Sequence, residues 1–233
     1  MRKINFGIIQ FPGSNCEQDC FYVIKNILKQ NCTYIWHDSN SLKKIDCLII
    51  PGGFSYGDYL RTGAIASQSK ISLKIKEFAK KGGIVIGICN GFQILTELKL
   101  LPGVLLRNHS LNFICEDVYL KVSNNKSIFT SEYSNDDIVK IPIAHAEGNY
   151  FLNKTELNEV KKSNQIIFQY SNPIGQINQE SNPNGSILNI AGICNKNGNV
   201  LGLMPHPERV SEHMLGGIDG KKIFNSIIRH FSA

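Results

Sequence analysis

Apolar residues follow two different spacings in the first half of the chain. Between the strand-like segments, apolar residues recur every three or four positions, which predicts helices over Ser67–Lys80 and Asn90–Leu98. Short unbroken apolar runs predict buried strands at Ile4–Gln10, Thr33–Trp36, Cys47–Ile50 and Ile84–Ile88. Strands and helices in alternation are typical of an α/β fold with a doubly wound, mostly parallel sheet flanked by helices.

The segment after the first predicted strand has the signals of a helix start. Ser14 and Glu17 have the spacing of a capping box, in which each side chain satisfies a free backbone N–H at the helix start. Cys16 and Cys20 then begin an apolar helical face. The two cysteines could form a metal-binding pair, but no cluster of further ligands accompanies them. We therefore expect both to pack against the sheet and predict no metal site.

The second half of the chain is less regular. Apolar segments predict antiparallel strands near Phe113–Val122, Ile166–Tyr170, Ile187–Cys194 and Val200–Met204. A final amphipathic helix over Gly220–Phe231 is predicted to bury Ile223, Phe224, Ile227, Ile228 and Phe231. No repeat or low-complexity linker divides the chain, and we expect residues 1–233 to form a single domain.

Composition narrows the class of protein. With 42% hydrophobic and 19% charged residues, the chain is typical of a globular protein. Its net charge of +6 comes from scattered lysines without a basic run, so we predict no nucleic-acid partner. Seven cysteines without a CxxC pair suit a reducing compartment. No apolar run approaches the ~18 residues of a membrane helix. We therefore expect a cytoplasmic protein with no membrane partner.

The strongest chemical signal is the sequence Gly87-Ile88-Cys89-Asn90-Gly91. It follows a buried strand and opens a helix, the setting of a nucleophile elbow with cysteine in place of serine. Glycines flank the turn because side chains there would clash, and the helix N-terminus stabilises a thiolate. Taken alone, the pattern fits a small buried cysteine in a glycine-rich turn almost as well.

A second motif places an acid beside a histidine. Pro205 and Pro207 hold the backbone around His206 extended, so that His206 and Glu208 project to the same side. Such a pair with a distant cysteine forms a constellation of nucleophile, base and orienting acid. Alone, the pair also fits a surface histidine in a proline-rich turn. The two motifs together favour a cysteine enzyme.

A glycine pair follows another buried strand, at Pro51-Gly52-Gly53. Glycines there let a backbone N–H approach a substrate closely. The N–H groups of Gly53 and Asn90 are therefore candidates for an oxyanion hole. The sequence contains neither a GxxxxGK[ST] loop nor a strand–GxGxxG–helix unit, so we predict no nucleotide site.

These motifs, in this order, resemble those of the class I (triad) glutamine amidotransferases, which have a flavodoxin-like fold. Four stretches extend the likeness over nearly the whole chain: residues 52–66, 145–148, 182–186 and 202–209. They make the sequence similar to the glutaminase subunits of phosphoribosylformylglycinamidine synthase. The resemblance implies that Cys89 is the nucleophile, with His206 and Glu208 completing the triad, and that Gly53 and Asn90 form the oxyanion hole.

The resemblance further implies the substrate and the partners. L-glutamine is expected to bind through its amino-acid end to Gln93, with His145 and Gly148 bordering the pocket. Ammonia would pass to a large synthetase subunit, which carries ATP and Mg²⁺ and makes formylglycinamidine ribonucleotide from formylglycinamide ribonucleotide. A small bridging subunit is also expected, and no cofactor in this chain itself. Residues 54–66 would form the docking surface.

Two alternatives stay open from the residues alone. The first is a glutaminase that serves another synthetase, against which residues 55–66 and 182–186 argue. The second is a non-catalytic or thiol-hydrolase α/β domain with the same elbow. This second reading predicts a reactive Cys89 without glutamine turnover, and it leaves the pair of His206 and Glu208 unexplained.

Overall fold

The computed structural model describes residues 2–232. The strands are β1 (Asn5–Gln10), β2 (Asn31–Trp36), β3 (Cys47–Ile50), β4 (Ile84–Ile88), β5 (Val104–Leu106), β6 (Ile114–Val122), β7 (Ile138–His145), β8 (Asn149–Phe151), β9 (Ile166–Ser171), β10 (Ile190–Cys194) and β11 (Val200–Leu203). A nine-stranded sheet has the order β2-β1-β3-β4-β11-β10-β9-β6-β7, and β5 pairs with β8 in a separate two-stranded sheet.

The large sheet has a parallel and an antiparallel part. Strands β2, β1, β3, β4 and β11 run parallel to one another. From β11 through β10, β9 and β6 to β7, each neighbouring pair is antiparallel. Every residue of β3, β4 and β11 is buried, as expected for strands covered on both faces. The predicted helix-flanked α/β sheet is confirmed.

The α-helices lie between the strands and at the C-terminal end. They are α1 (Glu17–Tyr22), α2 (Lys70–Lys80), α3 (Asn90–Glu97), α4 (Lys154–Lys162) and α5 (Lys221–His230). Helix α1 continues into a π-helical segment at Val23–Ile27. Helix α5 buries Ile223, Phe224 and Ile227, as its apolar spacing predicts. Phe231 is 38% exposed, because α5 ends at His230 and this side chain no longer follows the apolar face.

The capping box predicted at Ser14 and Glu17 is wrong. Ser14 lies in a tight turn, where its Oγ accepts a hydrogen bond from the Phe11 N–H at 3.0 Å, so it cannot cap α1. A capping box occurs instead at α4. Asn153 Oδ1 accepts from the Glu156 N–H at 2.9 Å, and Glu156 Oε2 accepts from the Asn153 N–H at 3.2 Å. The difference arises because a local turn uses the Ser14 hydroxyl, and because Cys16, not Ser14, is the N-cap of α1.

The second half of the chain contains more structure than the apolar pattern indicates. Strand β7 pairs with β6 along its full length, although it was not predicted. Residues Ile187–Asn189, predicted as the start of a strand, form a 3₁₀ turn because Leu188 adopts a positive φ of 52°. Strand β10 therefore begins only at Ile190. In residues 2–232 no helix has both the length and the apolar character needed to span a membrane.

Candidate active site

The carboxyl ends of three parallel strands bring the predicted chemistry to one edge of the sheet. Strand β3 leads into Pro51-Gly52-Gly53, β4 into Cys89, and β11 through two residues to His206. Strand β7 reaches the same place from the far end of the sheet. Pro142 O accepts a hydrogen bond from the His206 N–H at 2.8 Å, and Ala144 O lies 3.5 Å from Cys89 Sγ. Ligands of open α/β sheets bind at this edge.

Cys89 occupies a strained turn between β4 and α3. Its φ is 51° and its ψ is −105°, a conformation that costs a residue with a Cβ on the order of 1–3 kcal/mol. Both flanking glycines are required. A Cβ at Gly87 would lie 2.6 Å from Gly91 O, and a Cβ at Gly91 would overlap with Ile50 O. The strained turn therefore has the form of a nucleophile elbow and places Sγ at the N-terminus of α3.

His206 and Glu208 form a buried pair. His206 Nδ1 lies 2.6 Å from Glu208 Oε1, and the side chains are 2% and 0% exposed. The backbone reaches this arrangement through a short 3₁₀ helix at Pro207–Val210, not through the extended chain that the prolines predict. Glu208 makes Nδ1 the donor nitrogen and leaves Nε2 available. Within the described chain, Nε2 has no hydrogen-bond partner.

Gly52 separates this histidine from the nucleophile. A Cβ at Gly52 would lie 2.7 Å from His206 Cε1 and 3.4 Å from Cys89 Cβ, so both side chains flank the same bare backbone. Burial alone lowers the pKa of His206, but the charges of Glu208 and Cys89 raise it well above the ordinary 6.5. The site therefore favours an imidazolium beside Cys89.

The two candidate oxyanion donors belong to Gly53, which lines the same cavity as Cys89, and to Asn90, which follows Cys89 in the chain. Gly53 adopts a φ of +142°, and a Cβ there would lie 2.5 Å from Asn15 N, so only glycine fits. Asn90 is the first residue of α3. Neither the Gly53 N–H nor the Asn90 N–H donates a hydrogen bond to any other described residue. Two N–H groups without an internal acceptor are what an oxyanion hole requires, so both stay candidates.

The thiol lines a cavity of about 360 Å³, a size typical of small-molecule sites. Gln93, which projects into its wall, is held at both ends of its amide. Its Nε2 donates to Glu147 O at 2.7 Å, and its Oε1 accepts from Asn90 Nδ2 at 2.9 Å. Gln93 thus joins α3 to the segment after β7. Thr62 Oγ1 adds a hydrogen bond to the Glu147 carboxylate from a third segment.

His145 lines the cavity, and Gly148 lies behind it. A Cβ at Gly148 would overlap with the His145 ring. Asn108 Oδ1 lies 3.0 Å from His145 Nδ1 and accepts from the Gly148 N–H at 2.9 Å. Asn184 Nδ2 and Ser186 Oγ both donate to Gly148 O, at 2.8 and 3.1 Å. Residues 182–186, singled out in the sequence, therefore support the cavity wall from behind.

Comparison with known proteins agrees with this geometry. A family model described as a CobB/CobQ-like glutamine amidotransferase domain matches residues 3–223. The chain belongs to the glutamine amidotransferase family. Within it, the chain is one of the class I enzymes, as its motifs predict.

Relatives in this amidotransferase family narrow the comparison. The phosphoribosylformylglycinamidine synthase subunit PurQ of Koribacter versatilis is 52% identical over 97% of both chains. The subunit of the same name from Alkaliphilus metalliredigens is 53% identical over 97% of this chain and 96% of its own. A chain in the structure of PurLQS from Thermotoga maritima superposes with a TM-score of 0.87 at 40% identity. That superposition covers 99% of this chain and 100% of the other.

One residue of the amidotransferase site was misjudged from sequence. Cys20 packs in the core, as predicted, but Cys16 does not simply pack against the sheet. Its Sγ lies 3.9 Å from His206 Nδ1 and 3.1 Å from Arg209 Nη2. Helical spacing places Cys16 and Cys20 on one face, but Cys16 is the N-cap of α1 and so lies at the sheet edge. The adjacency of Arg209 to the Pro-His-Pro-Glu motif was the one available signal.

Three further cavity residues received no role from the sequence, although two of them, Asp58 and Glu147, lie in the stretches 52–66 and 145–148 that carry the resemblance. Asp58 and Glu147 place carboxyl groups in the wall, and burial, followed by the charge of Glu147, raises the pKa of Asp58 to about 6. Asp58 Oδ1 is buried and has no hydrogen-bond partner in the described residues. Cys115 is exposed and lines the cavity. It pairs with Ala144 in the β6–β7 ladder, and both residues line the same cavity as Cys89.

Among the described residues, one group has the spacing of a metal site: Cys16, His206 and Glu208. Their ligand atoms lie within 4.8 Å of one another. The Arg209 guanidinium, however, is 3.1 Å from the sulfur and would repel a cation. The short bond between His206 and Glu208 further occupies the nitrogen that a metal would need. The arrangement suits proton chemistry better than metal binding.

Proposed function

We propose that this chain hydrolyses L-glutamine to glutamate and ammonia through a thioester on Cys89. We further propose that it delivers the ammonia to a synthetase that makes formylglycinamidine ribonucleotide in purine biosynthesis. The observation that carries the proposal is the strained Cys89 elbow at the wall of a 360 Å³ cavity, with the buried His206–Glu208 pair across Gly52. The similarity to subunits named phosphoribosylformylglycinamidine synthase subunit PurQ supports the pathway.

The first half of the reaction forms the thioester. Cys89 Sγ, as the thiolate, attacks the side-chain carbonyl carbon of glutamine, and the carbonyl π electrons move onto oxygen. The free N–H groups of Gly53 and Asn90 hold that oxyanion. One such donor lowers the barrier by about 3 kcal/mol. His206 then gives the proton on Nε2 to the amide nitrogen. The C–N bond breaks and ammonia leaves.

The second half restores the enzyme. His206, now neutral, takes a proton from water, and the resulting hydroxide attacks the thioester carbonyl at the same oxyanion hole. The C–S bond breaks, glutamate leaves and the thiolate is regenerated beside the imidazolium. Glu208 holds the tautomer with Nδ1–H throughout, so that Nε2 is always the nitrogen that exchanges protons.

The remote wall of the cavity suits the amino-acid end of glutamine. Asp58 and Glu147 offer negative charge to an α-ammonium group, and Asp58 Oδ1 lacks a partner among the described residues. Gln93 and the support of His145 by Gly148 shape the same wall. We assign Gln93, His145 and Asp58 to substrate binding, with Gly148 acting through His145.

A partner must receive the ammonia before it protonates in bulk water. The similar Thermotoga maritima chain comes from a structure of PurLQS, which supports an assembly of several subunits for this chain too. A large synthetase subunit would bind ATP and Mg²⁺, and a small subunit would bridge the two. Tyr59 and Leu60, which are 88% and 69% exposed beside the cavity, would form the docking surface within residues 54–66. We expect the assembly in the cytoplasm.

Two other functions are tested by the same assay. A glutaminase that serves a different synthetase would release glutamate without responding to formylglycinamide ribonucleotide. A non-catalytic or thiol-hydrolase domain would release none. The convergence of an oxyanion hole, thiol and buried histidine–acid pair favours the catalytic reading.

The test is glutamate release from glutamine, with and without the large synthetase subunit, ATP and formylglycinamide ribonucleotide. We expect slow release alone, a sharp rise with the full mixture and none in Cys89→Ala. Release that ignores the synthetase would keep the glutaminase and discard the pathway. Release that persists in Cys89→Ala would discard the mechanism.

A further inference from the structure

Cys16 lies on the floor of the active-site cavity, on the Nδ1 side of His206. Its side chain is buried, with 2% of the residue exposed, and its Sγ is 3.9 Å from His206 Nδ1. That nitrogen also contacts Glu208 Oε1, at 2.6 Å. The same side of the histidine ring therefore contacts both a carboxylate oxygen and a sulfur.

The position of the sulfur is fixed by the backbone. The Cys16 N–H donates to Gly52 O at 3.2 Å, and Cys16 O accepts from the Cys20 N–H at 3.1 Å. Sγ lies against the bare Cα of Gly52, where a Cβ would lie only 3.2 Å away. The same glycine separates Cys89 from His206. The side chains of Cys16, Cys89 and His206 therefore all surround the Cα of Gly52.

A cation holds the sulfur from its other side. Arg209 Nη2 donates to Cys16 Sγ at 3.1 Å, and Arg209 Nε is 3.9 Å from Asp19 Oδ2. Because a guanidinium carries only donors, the sulfur must be the acceptor in this contact. Sγ therefore presents a lone pair, not its proton, toward Arg209. Asp19 adds a partly exposed ion-pair contact on the other side of the guanidinium.

We propose that Cys16 is a positioning residue of the glutamine hydrolysis reaction, which holds the charged His206 ring with Nε2 directed toward Cys89. This inference rests on the proposed function. Glu208 supplies one hydrogen bond to Nδ1, and the sulfur provides a second contact on the same side of the ring. A cysteine suits this position because sulfur can contact Nδ1 at 3.9 Å and still accept from Arg209.

The charges around the ring are consistent with this role. Glu208, Cys89 and Cys16 all favour the imidazolium, whereas burial opposes it. His145, which also faces the ring, has its pKa lowered to about 4 by burial and by His206, and so stays neutral at physiological pH. Asp19 and Arg209 lie beyond Cys16 and oppose each other in sign. Removal of the sulfur should therefore lower the pKa of His206.

The deciding measurement is an NMR pH titration of the His206 ring in protein labelled with ¹⁵N-histidine, with the signal assigned by its loss in His206→Asn. In Cys16→Ala, we expect the midpoint to fall by about one unit. In Cys16→Ser, whose hydroxyl can accept from Arg209, the His206 midpoint should lie between those of wild type and Cys16→Ala. Cys20→Ala, one turn along the same helix and in the core, should match wild type. An unchanged midpoint in Cys16→Ala overturns the proposal.

Kinetics separate positioning from simple packing. In Cys16→Ala, kcat should fall by about tenfold with KM within about twofold, because a contact to the proton-transferring group has been removed. The alkaline limb of the kcat/KM profile should move to lower pH, since the imidazolium is lost earlier. A raised KM with unchanged kcat would mean that Cys16 only shapes the pocket. If the wild type does not hydrolyse glutamine, the proposed function fails, while the titration still decides the role of Cys16.

Discussion

Gly91 lies directly against the carbonyl oxygen of Ile50, the last residue of β3, with no space for a Cβ between them. The contact brings the first turn of α3 close enough to the sheet for Cys89 to form its elbow. It also explains why the glycine two residues after the nucleophile cannot be replaced, although its own backbone is helical.

Gly91→Ala should therefore destabilise the fold as well as the site. The obstacle is a backbone atom, which cannot move aside as a side chain would. We expect a loss of about 3 kcal/mol in the free energy of unfolding, measured with urea. Gly82→Ala is the matched control, because no atom lies within 4 Å of a Cβ there and only its φ of +87° opposes the change. Equal losses in the two variants would show that the Ile50 contact is not the cause.

Cys89→Ala should abolish glutamine hydrolysis and leave the fold intact. The nucleophile is lost, and alanine at a φ of 51° retains the same strain as cysteine. Glutamate release should fall to background, with the unfolding midpoint little changed. Cys32→Ala, at a half-buried thiol on the edge strand β2, is the control and should keep full activity. Lost activity in both would indicate a general thiol effect.

Asp58→Asn should raise KM for glutamine while kcat changes little. The carboxylate is expected to bind the α-ammonium group, and its pKa of about 6 means that it is protonated in more acidic solution. KM in the wild type should therefore rise as pH falls through 6, and this dependence should disappear in the variant. The deaminated substrate glutaramate should be hydrolysed equally by both proteins. A similar loss for glutamine and glutaramate would remove Asp58 from α-ammonium recognition.

His145 should make the protein sensitive to acid. Burial, followed by the charge of His206, lowers its pKa from 6.5 to about 4, whereas the unfolded chain takes up the proton near the ordinary value. Stability should therefore decline as pH falls between these two values, by on the order of 3 kcal/mol in total. His206 has the opposite sign: its raised pKa contributes stability that is present below 6.5 and is lost as pH rises through the folded value.

The contribution of His145 to the pH dependence of stability can be isolated with His145→Gln. Urea unfolding of both proteins from pH 4 to pH 7, about the window set by the shift of His145, compares slopes and not absolute stabilities. The variant, although less stable overall, should show the smaller decline toward acid pH. Parallel curves would mean that carboxyl groups, not His145, cause the acid sensitivity.

Tyr59→Ser combined with Leu60→Ser should weaken binding to the synthetase by at least about tenfold, because two exposed apolar side chains would no longer be buried in the complex. Glutaminase activity of the subunit alone should be kept. Ile174→Ser, at a residue 76% exposed in another loop, is the matched control. The measurement is titration calorimetry with the large subunit. Unaltered affinity in the double variant would place the docking surface elsewhere.

The sequence alone determined the sheet segments and the chemical motifs. Strands Cys47–Ile50 and Ile84–Ile88 were predicted with the bounds that they have in the structure, since fully buried parallel strands leave unbroken apolar runs. The nucleophile elbow was equally visible, because its glycines are local requirements of one turn. Such features depend on neighbours along the chain, so the order of residues within one segment is enough to predict them.

Only the tertiary structure decided the surroundings of the thiol. Cys16 and Arg209 are separated by most of the chain, yet their side chains meet beside His206, because β1 and β11 both lead to the same sheet edge. Cys115 likewise faces the cavity because β6 pairs with β7. No local pattern encodes these contacts. They arise from strand order, which is set by packing over the whole sheet and not by the spacing of residues along one segment.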